Sequence, residues 1–157
     1  MQYTLVISRS RLTISPTDKV TDARRHYDIT IDGASRGQAR LEHYFVPAVG
    51  VYGNEVAIWA GRDAAFGSLA DGPFRQIVLP EPLEAVYRLR AGWLAAAEIS
   101  VYLLNDGLEV VLQRIHNEVL ISSWWSDGVL TVRDFAGRRL RLEIDEVALA
   151  ASEFIPE

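Results

Sequence analysis

The sequence contains no cysteine, and this absence excludes several kinds of site at once. Without thiols the chain can form no disulfide framework, thiolate nucleophile or cysteine-ligated zinc or iron–sulfur centre. Lysine is nearly absent too, because Lys19 is the only one and arginine supplies the other basic residues. A biased genomic composition is the simplest explanation, although arginine is also the better interfacial cation, since its guanidinium is planar and weakly hydrated.

Long apolar runs are also missing from the sequence. No stretch is apolar enough to span a bilayer, and the N-terminus lacks a basic start followed by an apolar block. We therefore expect a cytoplasmic protein that does not associate with membranes. The formal net charge is −5, and no basic run marks a nucleic-acid footprint, so we expect no generic binding to nucleic acids.

The common local signatures of catalysis are absent from the sequence. The histidines, His26, His43 and His116, lie far apart and without the spacing that holds a metal on one element. There is no Gly-x-Ser-x-Gly elbow, P-loop or dinucleotide fingerprint. His116 stands beside Asn117 in a predicted turn, where solvent exposure is expected. We expect no metal and no cofactor, and we favour a non-enzymatic protein.

Residues 99–145 carry the clearest structural pattern. Their short apolar runs are separated by turn signals, which are Asn105-Asp106-Gly107, His116-Asn117, Ser126-Asp127-Gly128 and Phe135-Ala136-Gly137. Such spacing is typical of β-hairpins. With 157 residues and 49% hydrophobic content, the chain fits a single domain, 1–157, whose core is this β-meander. We predict an all-β antiparallel fold, either a sandwich or a partly open barrel, and the alanine-rich run 146–152 is compatible with a short C-terminal helix.

The turn signals predict strand registers, because the length of a hairpin loop decides which residues face each other. A two-residue turn at Asp106-Gly107 pairs Leu103 with Val110. A three-residue loop at 126–128 places Trp124 opposite Leu130 and Trp125 opposite Val129. A loop of the same length at 135–137 places Leu130 opposite Leu142 and Val132 opposite Leu140.

These registers divide the last strands into a buried face and an exposed face. The predicted buried set is Trp124, Leu130, Val132, Leu140, Leu142 and Ile144. A slip of one residue would bury Arg139 and Arg141 as unpaired charges, which is strongly unfavourable. The register of the last hairpin should therefore be well specified.

One part of this segment has a family likeness. Residues 128–142, with a strand, an aspartate-aromatic ending, a glycine turn and a second strand, resemble part of a β-propeller blade. No constant period continues this pattern through the preceding sequence, and 157 residues are few for a closed ring of four-stranded blades. We interpret the segment as an antiparallel meander.

The predicted exposed face carries the candidate binding residues, Trp125, Arg133, Arg139 and Arg141. Tryptophan and arginine are enriched among interface hot spots, because they combine a large contact area with stacking and charge-assisted hydrogen bonds. We predict that these four residues bind a protein partner. The alternative is structural: Trp125 could be covered by another part of the chain, with arginine stems packed around it.

Three functions remain open at this stage. The leading hypothesis is non-enzymatic recognition of another macromolecule, with a bacterial immunity or antitoxin-like inhibitor as one example. The first alternative is a carbohydrate- or small-ligand-binding module that uses Trp59, Trp93 or Trp125 as a stacking platform. The second is a hydrolase whose histidine and carboxylate residues meet only in the folded chain. The sequence does not indicate the oligomeric state.

Overall fold

The computed structural model describes residues 2–7 and 9–157 and confirms the all-β antiparallel prediction. Strands account for 66% of the chain, and no helix occurs among the described residues. The strands form four antiparallel sheets, named A to D in chain order, and each sheet is built from strands that follow one another in the sequence. The contacts within the chain divide it into two compact units, Met1–Pro80 and Glu81–Glu157.

Unit 1 contains sheets A and B. Sheet A is formed by β1 (Tyr3–Ile7), β2 (Ser10–Thr21), β3 (Arg24–Ile31) and β4 (Ala34–Glu42). Sheet B is formed by β5 (Ala48–Tyr52), β6 (Glu55–Ala60), β7 (Asp63–Ser68) and β8 (Arg75–Val78).

Unit 2 contains sheets C and D. Sheet C is formed by β9 (Leu83–Arg88), β10 (Gly92–Ala97), β11 (Ser100–Asn105) and β12 (Val110–Ile115). Sheet D is formed by β13 (Leu120–Ser126), β14 (Val129–Asp134) and β15 (Arg139–Asp145), with β16 (Ala150–Ala151) and β17 (Ile155–Pro156) both paired to β15. The predicted meander, 99–145, therefore contributes strands to both sheets, while the prediction of a single domain stays a prediction.

The alternation of apolar residues along the strands builds a core in each unit. In unit 1 the buried side chains include Leu12, Ile14, Ile29 and Leu41 from sheet A and Ile58 from sheet B. In unit 2 the core combines side chains of both sheets, among them Leu94, Leu103, Leu130, Val132, Leu140 and Leu142. Five of the six residues predicted to be buried in the last strands lie in this core, and the exception is Trp124.

The structure corrects the predicted register of the hairpin between β11 and β12. Leu103 pairs with Leu112 and Leu104 with Val110, because a β-bulge interrupts the pairing between Leu103 and Leu104. The left-handed backbone conformation falls at Leu108, where φ is +63°. The connection is therefore longer than the two-residue turn predicted from Asp106-Gly107.

A turn and a short strand replace the C-terminal helix that the sequence allowed. The Oδ1 atom of Asp145 accepts hydrogen bonds from the backbone nitrogens of Val147 and Ala148, at 3.0 and 2.9 Å. Leu149 then adopts a φ of +54°, and β16 pairs with β15. The aspartate caps a turn in this way, and the pairing with β15 favours extended backbone over helix.

Candidate functional site

The turn between β13 and β14 decides which tryptophan lies on which face of sheet D. Asp127 and Gly128 have φ angles of +47° and +80°, which are typical of the two central residues of a type I′ turn. Ser126 pairs with Val129 as a consequence, Trp125 with Leu130 and Trp124 with Thr131. The predicted three-residue loop is wrong by one residue, and the two tryptophans exchange faces.

Trp125 consequently lies away from the arginines with which the sequence grouped it. Its side chain is partly buried and packs against the core of unit 2, next to Leu130. Trp124 is 43% exposed and lies on the opposite face. The prediction of Trp125 as an exposed anchor and Trp124 as a core residue is thus reversed, and Trp124 takes the place that the sequence assigned to its neighbour.

The hairpin between β14 and β15 has the predicted register. Leu130 pairs with Leu142 and Val132 with Leu140, and all four side chains are buried. The loop 135–137 has three residues and ends with Gly137 at a φ of +85°. Arg133, Arg139 and Arg141 therefore point to the other side of the sheet, as predicted.

Residues paired across neighbouring strands lie on the same face, so the register brings Trp124 and three arginines together. One row across sheet D runs Trp124, Thr131, Arg141 and Ile155, and the next row runs Ser122, Arg133 and Arg139. We call the group formed by Trp124, Arg133, Arg139 and Arg141 the arginine-tryptophan face. Thr131 is only 6% exposed, which fits its place between Trp124 and Arg141.

The charges on the arginine-tryptophan face are only partly neutralised within the chain. Arg139 is paired with Glu157, with 3.2 Å between Nε and Oε2, and its guanidinium carbon lies 5.1 Å from the ring centroid of Trp124. Arg133 lies directly opposite Arg139 on the neighbouring strand. Among the described residues no carboxylate lies within ion-pair distance of Arg133, so two like charges face each other across the sheet.

The hydrogen-bond donors of Arg141 are also incompletely satisfied. Its Nε atom is buried and has no hydrogen-bond partner among the described residues. The carboxylate of Glu143 lies 3.9 Å away, which is near enough for electrostatic attraction but too far for a hydrogen bond. A buried donor without an acceptor is uncommon in a native structure.

A histidine and a carboxylate do meet in unit 2, at the end of the same hairpin. Nε2 of His116 lies 3.0 Å from Oδ2 of Asp134, whose side chain is fully buried. Asp134 also accepts hydrogen bonds from the backbone nitrogen and the Nε of Arg138, both at 2.9 Å. The hydrogen bond from His116 and these two from Arg138 outweigh burial and lower the pKa of Asp134 to about 2.

This contact corrects the prediction that His116 is exposed to solvent. Its side chain is 11% exposed, and its ring lies 5.0 Å from the ring of Phe154. The carboxylate of Asp134 is ionised at neutral pH and accepts hydrogen bonds from the residues around it, which suits an anchor for the loop 135–138 rather than a proton-transfer group. The sequence signal for this site was the aspartate-aromatic ending of β14, followed by the glycine turn.

The other tryptophans proposed as stacking platforms lie inside the protein. Trp59 is 8% exposed and Trp93 is 3% exposed, so neither offers an open ring face to a ligand. The guanidinium of Arg88 lies 4.9 Å from the ring centroid of Trp93. The structure therefore excludes Trp59 and Trp93 as the surface platforms that the sequence suggested.

Two kinds of feature are absent from the part of the chain that the structure describes. No group of three or more histidine, aspartate or glutamate side chains is placed there to hold a metal ion. None of its secondary-structure elements is a helix long and apolar enough to cross a membrane.

No protein-family profile and no curated protein sequence matches the chain. The crystal structure of HIRA(644-1017) matches 99% of this chain and 53% of that chain, with a TM-score of 0.55 and 11% sequence identity. A structure of PorZ, described as an essential bacterial surface component of the type-IX secretion system of Porphyromonas gingivalis, matches 99% of this chain and 26% of that one, with a TM-score of 0.48 and 10% identity.

The chain thus spans about half the length of the HIRA structure. The likeness is distant and concerns the fold alone; the matched structures are of the β-propeller type. Four-stranded antiparallel sheets are the blades of such folds; sheets A, B and C have four strands each, and sheet D has five. The hairpin at 128–142, which resembled part of a blade, supplies two strands of sheet D.

Proposed function

We propose that this protein is a non-enzymatic recognition module that binds an acidic segment of another protein through the arginine-tryptophan face. The observation that carries the proposal is the position of Arg133 directly opposite Arg139, with no carboxylate in ion-pair distance of Arg133 among the described residues. Facing like charges destabilise a sheet, and a carboxylate from a partner would remove that repulsion.

The remaining members of the face support the same kind of partner. Trp124 presents a half-exposed indole, and Arg139 stacks on it while keeping donors available. The Nε of Arg141 is a further donor that has no hydrogen-bond partner among the described residues. Arginine and tryptophan together provide the contact area and the charge-assisted hydrogen bonds that dominate interface energies.

The formal net charge of the protein is −5, so the basic arginine-tryptophan face differs in sign from the protein as a whole. A partner that recognised overall charge alone would be basic, whereas the arginine-tryptophan face selects acidic groups at one place on the surface. Electrostatic complementarity of this kind mainly determines specificity and the rate of association.

The test uses a fluorescein-labelled peptide of alternating glutamate and leucine and a matched peptide with glutamine at each glutamate position. The full chain should bind the acidic peptide more tightly in fluorescence anisotropy. Replacing Arg139 and Arg141 by alanine should weaken that binding by about 30-fold, which corresponds to the roughly 2 kcal/mol expected of a hot spot. Arg90→Ala changes an exposed arginine elsewhere in unit 2 and is the matched control.

Three results would contradict the proposal. The first is equal affinity for both peptides, and the second is unchanged affinity of the double variant. The third is tighter binding to duplex DNA than to the acidic peptide, which would show that the arginines contact phosphates. Sedimentation measured alongside would reveal whether the face instead joins two copies of the chain, since the double variant would then become monomeric.

A further inference from the structure

Unit 1 contains a concave aromatic site that lies outside the arginine-tryptophan face. We call it the tyrosine pocket, and its walls include Tyr3, Arg25, Tyr27, His43, Tyr44 and Phe45. Its volume is about 350 Å³. Pockets that take small organic ligands begin at roughly this size, and they combine apolar walls with a few polar groups.

The loop between β4 and β5 exposes three apolar residues in succession. Tyr44 is 85% exposed, Phe45 45% and Val46 76%. The loop is nevertheless held in place, since the backbone nitrogen of His43 donates to the oxygen of Ala23 at 2.8 Å. Consecutive exposed apolar residues are unfavourable in water unless something covers them, which marks this loop as one side of a binding site.

The charged side chains around the tyrosine pocket are all basic. Arg25 and His43 are the basic residues among the described residues of its wall, none of which is an aspartate or glutamate. Arg25 donates from Nη1 to the backbone oxygen of Thr17 at 2.8 Å and from Nε to Nδ1 of His43 at 3.4 Å. These acceptors are uncharged when the histidine is neutral, so the guanidinium keeps an uncompensated positive charge beside the pocket.

Tyr27 is a buried residue that lines the pocket. Tyr27 is 5% exposed, and burial raises the pKa of its hydroxyl, with Tyr3 adding to the effect and Arg25 opposing it. The hydroxyl therefore keeps its proton at neutral pH and can donate or accept a hydrogen bond.

We propose that the tyrosine pocket binds a small aromatic anion, whose ring stacks among the tyrosine and phenylalanine rings while its carboxylate or similar group pairs with Arg25. The ring requirement follows from the aromatic walls, which favour offset or edge-to-face contacts with a planar ligand. The charge requirement follows from Arg25, which has no carboxylate partner among the described residues and lies in a wall whose described residues include no acidic side chain. This site lies in unit 1 and is independent of the protein-binding face proposed for unit 2.

A charge series on one phenol ring tests the proposal. The probes are 4-hydroxyphenylacetate, tyrosol and tyramine, which carry a negative charge, no charge and a positive charge at neutral pH. In calorimetric titrations of the full chain, 4-hydroxyphenylacetate should bind at least about tenfold more tightly than tyrosol, as expected for a charge-assisted hydrogen bond. Tyramine should bind more weakly than tyrosol.

Three variants locate the binding. Arg25→Gln should reduce the affinity for 4-hydroxyphenylacetate to that for tyrosol, while Arg90→Gln, an exposed arginine in unit 2, should change neither. Tyr44→Ala, at a position that is 85% exposed, should weaken all three probes. Absence of measurable binding at millimolar probe, equal affinity across the charge series, or binding that survives both Arg25→Gln and Tyr44→Ala would overturn the proposal.

Discussion

Arg24 at the start of β3 donates from its Nε to both carboxylate oxygens of Asp63, at 3.0 and 2.9 Å. The Asp63 side chain is fully buried, while Arg24 is 23% exposed. The pair joins sheet A to sheet B inside unit 1. Burial raises the pKa of Asp63 and Arg24 opposes the rise, so the guanidinium is what makes an ionised carboxylate tolerable at this place.

Removing Arg24 should therefore destabilise unit 1 in a pH-dependent way. We expect Arg24→Met to lower the free energy of unfolding by about 3 kcal/mol at pH 7, because it leaves a buried charge unpaired. The pKa of Asp63 should rise further without its partner. Protonation of Asp63 in acid then removes the unpaired charge. The loss in the free energy of unfolding, relative to the unmodified protein, should therefore become smaller as the pH falls towards 4.

Urea unfolding at pH 7 and pH 4 measures this effect. The double change Arg24→Met with Asp63→Leu is the control, since it removes both charges and should recover part of the loss at pH 7. A deficit of the same size at both pH values would show that Arg24 contributes through packing and not through its charge.

Asp134 should show the opposite pH dependence. Its folded pKa of about 2 lies below the ordinary value of 3.8, so its contribution to stability is present above pH 3.8 and is lost as the pH falls through about 2. Asp134→Asn should therefore be less stable than the unmodified protein at pH 7, and its stability should fall less steeply between pH 4 and pH 2. Chemical unfolding followed by tryptophan fluorescence measures both slopes. Identical slopes would rule out Asp134 as the titrating group.

Leu142 tests the core of unit 2. The side chain is fully buried and pairs with Leu130 across the strands, so Leu142→Ala should cost about 2–5 kcal/mol through lost burial and the cavity left behind. Phe135→Ala, at a position that is 76% exposed in the adjacent loop, should change stability by less than about 0.5 kcal/mol. Similar losses for the two variants in thermal or urea unfolding would contradict the described register.

A substitution at Gly128 tests the turn between β13 and β14, which determines the faces on which the two tryptophans lie. Its φ is +80°, and an added Cβ would meet only the backbone oxygen of Ile144 at an ordinary 3.5 Å. The cost of Gly128→Ala should thus come from the backbone conformation, at about 1 kcal/mol or more. Gly107→Ala is the comparison, because Gly107 is not among the residues with positive φ, and it should cost clearly less in the same unfolding assay.

The sequence predicted the hairpin between β14 and β15 correctly because two independent signals agreed there. The length of the loop at 135–137 determined the pairing of the two strands. The alternation of Arg139 and Arg141 with leucines allowed only the leucine face of β15 to be buried. At 126–128 only the turn was informative, since both Trp124 and Trp125 suit a core. The choice between a two-residue and a three-residue loop then decided which tryptophan joined the arginines.

Other parts of the structure had no comparable signal in the sequence. Strand β7, with its alanines and glycine, has weak intrinsic strand preference, so its sequence gives little indication of a strand. The bulge at Leu103 and Leu104 inserts a residue without a distinctive side chain. The tyrosine pocket gathers side chains from β1, β2, β3 and the loop after β4, so only the pairing of sheet A brings them together.

The order of the strands within each sheet has a consequence for how the chain folds. Within each sheet, and apart from β17, which returns to β15, every described strand pairs with the strands that adjoin it in the sequence. Each pairing therefore closes a short loop, and little chain entropy is lost before the first hydrogen bonds form. Contacts between segments that are near each other in the sequence form faster than contacts between distant segments. Each sheet of this protein can accordingly begin to form as soon as its own stretch of chain is free to move, without waiting for the rest of the sequence.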